Sequence, residues 1–300
     1  MSRGGGFELL ESSEAAAEDI ESYYGSEHSF YSYLLLHVLA LGNAADAVEL
    51  VCMANILPAL KDVSIAEKEN LASSVFVGML IGDNSCLLRL LLLKQIGGCA
   101  GGYFSDILGR KVCLQFSLAL NGLAGFLSAF APSTSLLILM RVIGGIGIGG
   151  AAPVVFAMGA DSFPSRNRGA WLSYVAMFWM VGSVYAALIA WLCFVDKSSS
   201  EYVWRFYAII CSLPAIFTFT LTFYIYESPK YLIQRGRYEE ASTVLTAIHG
   251  EEVRLTLSIS SSIPEPMSWR TLLKDPLSFR FTLLMLIWFS LCFGSYGKSS

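Results

Sequence analysis

Seven stretches of this chain are apolar over enough residues to read as helices crossing a bilayer, with short polar links between them. The first covers residues 31–56 and ends near Pro58, and a polar link from Lys61 to Asn70 follows. The others cover 71–105, 112–131, 135–158, 170–195, 206–226 and 279–297. A spanning helix needs about 20 predominantly apolar residues. The second stretch is too long for one span: as a helix it would measure about 52 Å, against a hydrocarbon core of about 30 Å. Within it lies D-N-S-C-L-L-R-L-L-L-L-K-Q-I-G, Asp83 to Gly97, whose Asp83, Arg89 and Lys94 would sit in or beside lipid. Such charges cost several kcal/mol there. Removing the block joins Gly82 to Gly98 and leaves one apolar span of ordinary length, so 83–97 is read as an artefactual insertion, a retained intron or gene-model error.

Composition supports the spans. Of 300 residues, 55% are hydrophobic and 15% charged, and the mean hydropathy is +0.57. A soluble domain carries roughly a quarter charged residues. The expected fold class is therefore an all-α polytopic membrane protein. Its net charge of −4 averages an acidic tail with basic links, and nothing resembles a nucleic-acid-binding patch. Residues 1–30 carry Glu8, Glu11, Glu14, Glu18, Asp19 and Glu21, the opposite of a basic signal-peptide start. They are expected to form an acidic, disordered tail without a cleavable signal.

Lysine and arginine orient the spans. Links after the second, fourth and sixth hold Arg110 and Lys111, then Arg166 and Arg168, then Lys230 through Arg280. The alternate links hold only Lys61, Lys68, Lys197 and Arg205. The richer links and the N-terminus are thus expected on the cytoplasmic side. Residues 227–278 then form a cytoplasmic loop with two short amphipathic helices, one around Tyr238–Ile248, and 279–300 a truncated seventh helix.

The seven cysteines fall in or beside apolar stretches, with no CxxC pair, and read as reduced small hydrophobes. The three histidines lack ligand spacing, and His37 reads as a packing residue. No nucleophile, metal or cofactor constellation is present, so no enzyme is expected.

Four polar motifs punctuate the spans. The run G-Y-F-S-D-I-L-G-R-K, Gly102 to Lys111, puts Asp106, Gly109, Arg110 and Lys111 into a tight turn. R-V-I-G-G-I-G-I-G-G, Arg141 to Gly150, joins an intramembrane cation that needs a partner to glycines that admit a neighbouring helix. D-S-F-P-S-R-N-R-G carries Asp161 and Arg168, and E-S-P-K-Y-L-I-Q-R-G-R-Y-E-E-A carries Glu227 and Arg237. Together they resemble, over about residues 30–297, the major facilitator superfamily, with Ile107 standing where a base is commonest. The last motif resembles the pattern shared by sugar porters, organic-ion transporters and synaptic-vesicle-two-related proteins, with Tyr226 for the usual proline and Lys230 for arginine.

The resemblance implies a major facilitator fold over 31–226, an N-terminal six-helix bundle, plus the start of a second bundle. It implies a cytoplasmic gating network of Gly102, Asp106, Gly109, Arg110, Lys111, Asp161, Arg168, Glu227 and Arg237.

In the first span Asp46 and Glu49 lie three apart, on one helix face. Carboxylates at membrane depth are costly unless they face a water-filled cavity or a partner. An acid pair so placed can bind and release a proton near neutrality. G-N-A-A-D-A-V-E-L resembles the first helix of synaptic-vesicle-two-related and proton-coupled organic-acid carriers. The reading is a secondary transporter of a small organic ion, with proton symport, using Asp46, Glu49 and Arg141 for cargo binding or coupling. The aromatics Tyr174, Phe178, Trp179 and Tyr185 are candidates to line the path. The rivals are a sugar porter and a non-transporting membrane protein, the latter because a half-carrier would need a partner chain.

Overall fold

Serine caps set where two of the long helices begin. Ser29 accepts from the Tyr31 N–H (3.4 Å) at the start of α1 (Phe30–Ile56), and one turn of 3-10 helix, Leu57–Ala59, ends that segment at Pro58. Ser133 likewise accepts from the Leu136 N–H (3.4 Å) ahead of α4 (Thr134–Ser162). The computed structural model describes residues 29–60, 63–83, 108–163, 167–195 and 201–249, with Leu283 and Leu286. Between α1 and α4 lie α2 (Ile65–Asp83) and α3 (Arg110–Ser128). After α4 come α5 (Arg168–Phe194), α6 (Glu201–Leu221), a 3-10 turn at Thr222–Tyr224, and the short α7 (Pro229–Gln234) and α8 (Tyr238–His249). Every element among the described residues is helical.

Several expected features lie outside the described residues: the acidic tail through residue 28, Gly102 and Asp106, the inserted block beyond Asp83, Arg166, and 250–278. Of the seventh span only Leu283 and Leu286 are described, both exposed. Helix α2 begins at Ile65, inside the stretch expected to be a polar loop. The reason is a reciprocal cap: the Ser64 N–H donates to Glu67 Oε2 (3.0 Å) and the Glu67 N–H to Ser64 Oγ (3.3 Å). Likewise α6 begins at Glu201, five residues before the apolar run that announces it.

Among the described residues five helices, α1, α3, α4, α5 and α6, are long and apolar enough to cross a membrane. Helix α2 carries Glu67, Lys68 and Glu69 near its start and is not among them as far as it is described. Helix α4 packs along both α2 and α3, while α1 packs along α5 and α6. Close approach of α2 and α4 depends on Gly78 and Gly145: a Cβ on Gly145 would lie 3.0 Å from the Gly78 Cα. The outward face of α5 exposes Met177, Met180, Val184, Leu188 and Trp191, the surface a helix offers to lipid.

The buried core divides in two along α1. One cluster gathers Leu35 and Leu39 with Leu114, Leu118, Val155, Met158 and Ile225, and reaches Leu232 of α7 and Val244 of α8. The other gathers Val48, Cys52 and Ile56 with Leu71, Val75, Ile148, Trp204 and Tyr207. Between them α1 carries Gly42, Asn43 and Asp46, all buried, with Glu49 immediately beyond. This polar break in an apolar core positions the site.

Candidate functional site

The break holds a compact cluster from three helices. Arg141 of α4 forms an ion pair with Glu49 of α1 through its Nη1, and its Nη2 donates to Ser128 Oγ of α3 at 2.5 Å. Ser128 in turn donates to the Gly125 carbonyl (2.6 Å). Gly125 leaves room for the acid, since a Cβ there would lie 3.0 Å from Glu49 Oε2. Asp46 accepts from Asn121 Nδ2 of α3 at 2.9 Å. Asp46, Glu49, Asn121 and Arg141 are all at most 4% exposed, so each charge depends on its neighbours rather than on water. One turn before Asp46, Asn43 donates to the Val175 carbonyl (3.0 Å) and ties α1 to α5.

A second cluster closes the bundle end where α3 starts. Gly109 has φ +103° with ψ 149°, a backbone region that is essentially glycine-only. That turn aims the first amides of α3 at Glu227, which accepts from the N–H of Arg110 (2.8 Å) and of Lys111 (2.9 Å). An acid at a helix N-terminus completes orphan amides and opposes the helix dipole. Glu227 also accepts from the Ser228 N–H at 3.0 Å. Asp161, near the C-terminal end of α4, pairs with Arg110 and accepts from Ser228 Oγ at 2.9 Å, with Lys230 Nζ 4.0 Å away. Arg110 also donates to the Ala157 carbonyl (2.9 Å). The starts of α3 and α7 and the end of α4 are thereby joined by two carboxylates.

The expected gating residues therefore divide. Gly109, Arg110, Lys111, Asp161 and Glu227 come together. Arg168 Nε donates to the Phe163 carbonyl (3.3 Å), and Arg237, just before α8, forms an exposed two-bond pair with Glu240 of that helix at 2.7 and 2.6 Å. Sequence reasoning missed Ser228, Asn121 and Ser128, single small polar residues with no repeating pattern. It also missed Tyr31, whose hydroxyl accepts from the Tyr226 N–H at 2.9 Å. A proline at 226 has no such donor, so tyrosine there gains a tie to α1.

Of the aromatic candidates, Tyr174 lies against Phe178 with tilted rings, centroids 5.0 Å apart, and its hydroxyl lies 3.3 Å from His37 Nε2. Tyr185 donates to the Ile210 carbonyl (3.2 Å), joining α5 to α6. An apolar groove of about 590 Å³ between α5 and α6, lined by Leu192, Phe206 and Ile210 among others, has few groups to orient a polar cargo. The charged chemistry lies elsewhere.

Residues 85–296 match the model of the sugar (and other) transporter family. The chain belongs to that family. It is 31% identical over 235 residues to synaptic vesicle glycoprotein 2A of Rattus norvegicus, covering 76% of this chain and 30% of that one. With synaptic vesicle glycoprotein 2B of Mus musculus it shares 32% over 260 residues, covering 82% and 36%. This transporter-family chain thus spans about a third of the length of those curated relatives. Among solved structures, the xylose transporter XylE from E. coli in a partially occluded inward-open conformation matches with a TM-score of 0.61 at 22% identity. That match covers 73% of this chain and 56% of XylE, so the family member has about half of a major facilitator fold.

One prediction follows from the Gly109 turn. Gly109→Ala is expected to cost about 1–3 kcal/mol, the strain of a side chain in that backbone region, and to push the Glu227 carboxylate off the α3 amides. Thermal unfolding of the detergent-solubilised chain checks it. An unchanged midpoint would show that the turn relaxes without cost.

Proposed function

We propose that this chain supplies a six-helix half of a secondary active transporter that moves a small organic ion by alternating access, coupled to protons. The observation that carries the reading is the buried Glu49–Arg141 ion pair beside Asp46, deep between the two apolar core clusters. Charges at that depth are costly and mark solute or proton pathways in membrane proteins. Family and fold support a carrier. The carboxylate cluster that joins α3, α4 and α7 lies on the face that the lysine and arginine distribution assigns to the cytoplasm. There it acts as a lock for the outward-facing state, with Arg110–Asp161 and Glu227 as its members. The binding site lies near the bilayer midplane, where such carriers hold cargo.

The test is uptake into liposomes holding the purified full chain, with radiolabelled benzoate, tetraethylammonium and xylose as probes and an inward proton gradient. One of the two organic ions is expected to accumulate. Asp46→Asn and Glu49→Gln are each expected to lower that accumulation by about tenfold or more, the scale of a lost hydrogen bond to a charged group. Xylose uptake alone would instead favour a sugar porter. Uptake of none of the three would overturn the reading in favour of a non-transporting membrane protein.

A further inference from the structure

Three buried polar atoms of the α1–α3–α4 cluster have no hydrogen-bond partner: Asp46 Oδ2, Asn121 Oδ1 and Arg141 Nε. Two of them belong to one hydrogen-bonded pair. Asn121 already gives Nδ2–H to Asp46 Oδ1, so what remains on each side is a bare acceptor. Two acceptors cannot satisfy each other, and a buried unpaired acceptor costs about 1–3 kcal/mol. A single proton removes both deficits. Placed on Asp46 Oδ2, it makes that oxygen a donor, and Asn121 Oδ1 is the acceptor left over. With Asn121 Nδ2 already on Asp46 Oδ1, a carboxylic acid and a primary amide can close a ring of two hydrogen bonds.

Charge counting points the same way. The titratable groups around Asp46 and its neighbours, among the described residues, include Glu49 and Cys52 on α1, Arg141 on α4, and Tyr207 and Cys211 on α6. Arg141 is the cation of that set, and Glu49 already holds it. With both acids ionised the cluster would bury a net negative charge; with Asp46 protonated it is neutral, and burying an uncompensated charge is the costlier arrangement. Turning Arg141 Nε onto Asp46 Oδ2 would satisfy two of the three orphans but leave Asn121 Oδ1 bare and the net charge in place.

We propose that Asp46 and Asn121 form a reciprocal acid–amide pair in which Asp46 carries a proton, while Glu49 stays ionised as the counter-ion of Arg141. The two acids of α1, three residues apart, then have separate roles. Asp46 is the group that exchanges a proton, and Asn121 is a positioning residue that holds it in the acid form until the cluster rearranges. Glu49 and Arg141 keep the helices together. The use of this proton rests on the transport reading above; its presence does not.

Infrared difference spectroscopy of the full chain in lipid nanodiscs at neutral pH tests the pair without requiring transport. A protonated carboxylic-acid carbonyl band is expected that shifts in heavy water and shifts again when the chain is grown on isotopically labelled aspartate. It is expected to vanish in Asp46→Asn, to persist in the double variant Glu49→Gln with Arg141→Met, which removes both charges of the neighbouring pair, and to move to higher frequency in Asn121→Leu as the ring opens. The aspartate label needs no substitution, so a variant that fails to fold leaves the test intact. Absence of any aspartate-sensitive acid band at neutral pH overturns the proposal. So does a band that the double variant Glu49→Gln with Arg141→Met removes, or one that Asn121→Leu leaves in place. A band present without uptake of any probe would sink the transport reading and leave the pair standing.

Discussion

Arg141→Met is expected to be the most damaging single change in the bundle, lowering stability by about 3–5 kcal/mol, the usual cost of stripping the partner from a buried charge. Arg141 is 2% exposed, and its guanidinium joins α4 to Glu49 of α1 and Ser128 of α3. Methionine keeps much of the volume but leaves the Glu49 carboxylate, 4% exposed, between two apolar clusters without its cation. In a bundle of this size the loss corresponds to a fall of roughly 10 °C in unfolding midpoint. Size-exclusion of a fluorescently tagged chain after graded heating reads it directly. The double variant Arg141→Met with Glu49→Gln is expected to recover most of the stability, because it removes both charges instead of orphaning one. That double chain is nonetheless expected to accumulate no organic ion, which separates what the pair does for folding from what it does for function. A single variant within a couple of degrees of the parent, or a double no better than the single, would show that Glu49 finds another partner.

The sequence showed that Arg141 needs an acid, because an intramembrane cation needs one anywhere. It did not show which. Asp46 and Glu49 lie on one face of α1, yet three residues of an α-helix turn through about 300°, leaving the two side chains some 60° apart. That offset sends Glu49 to α4 and Asp46 to α3. Asn121 was invisible for the same reason: one amide in an apolar helix has no periodicity, and only the crossing of α1 and α3 gives it a role. The start of α2 was legible and was missed. Ser64 and Glu67 have the spacing of a reciprocal cap, but the polarity of Lys61 to Asn70 outweighed it. For the motifs at the bundle end, residue types were legible and partners were not. Arg168 and Arg237 looked equivalent to Arg110 in sequence, yet the first donates to the Phe163 carbonyl and the second pairs with Glu240. Which base reaches which acid depends on where helices end in space, and no local pattern encodes that.

Glu227→Ala is expected to loosen the start of α3 by about 2–3 kcal/mol, since a hydrogen bond to a charged group contributes about 1.5–3 kcal/mol and water can replace part of what is lost. The carboxylate gathers three backbone amides, those of Arg110, Lys111 and Ser228, and so holds a helix start and the α7 turn to one point. Among the described residues the neighbouring carboxylate, Asp161, is engaged with Arg110 and Ser228 Oγ. Glu227→Gln keeps one acceptor oxygen but loses the charge that opposes the α3 dipole, so its effect falls between the parent and Glu227→Ala. Cys113, one turn into α3 and half-buried, reports the change. In a chain keeping only that cysteine, Glu227→Ala is expected to raise its maleimide labelling rate roughly thirtyfold or more, the factor that about 2 kcal/mol of local opening produces. A chain keeping only Cys211, buried in the opposite core cluster, separates local opening from unfolding. If both cysteines speed up together, Glu227 holds the whole bundle. If neither does, the three amides are held by something other than its carboxylate. If Cys113 alone responds, this end of the bundle opens as a unit, which is what a lock between alternating states has to do.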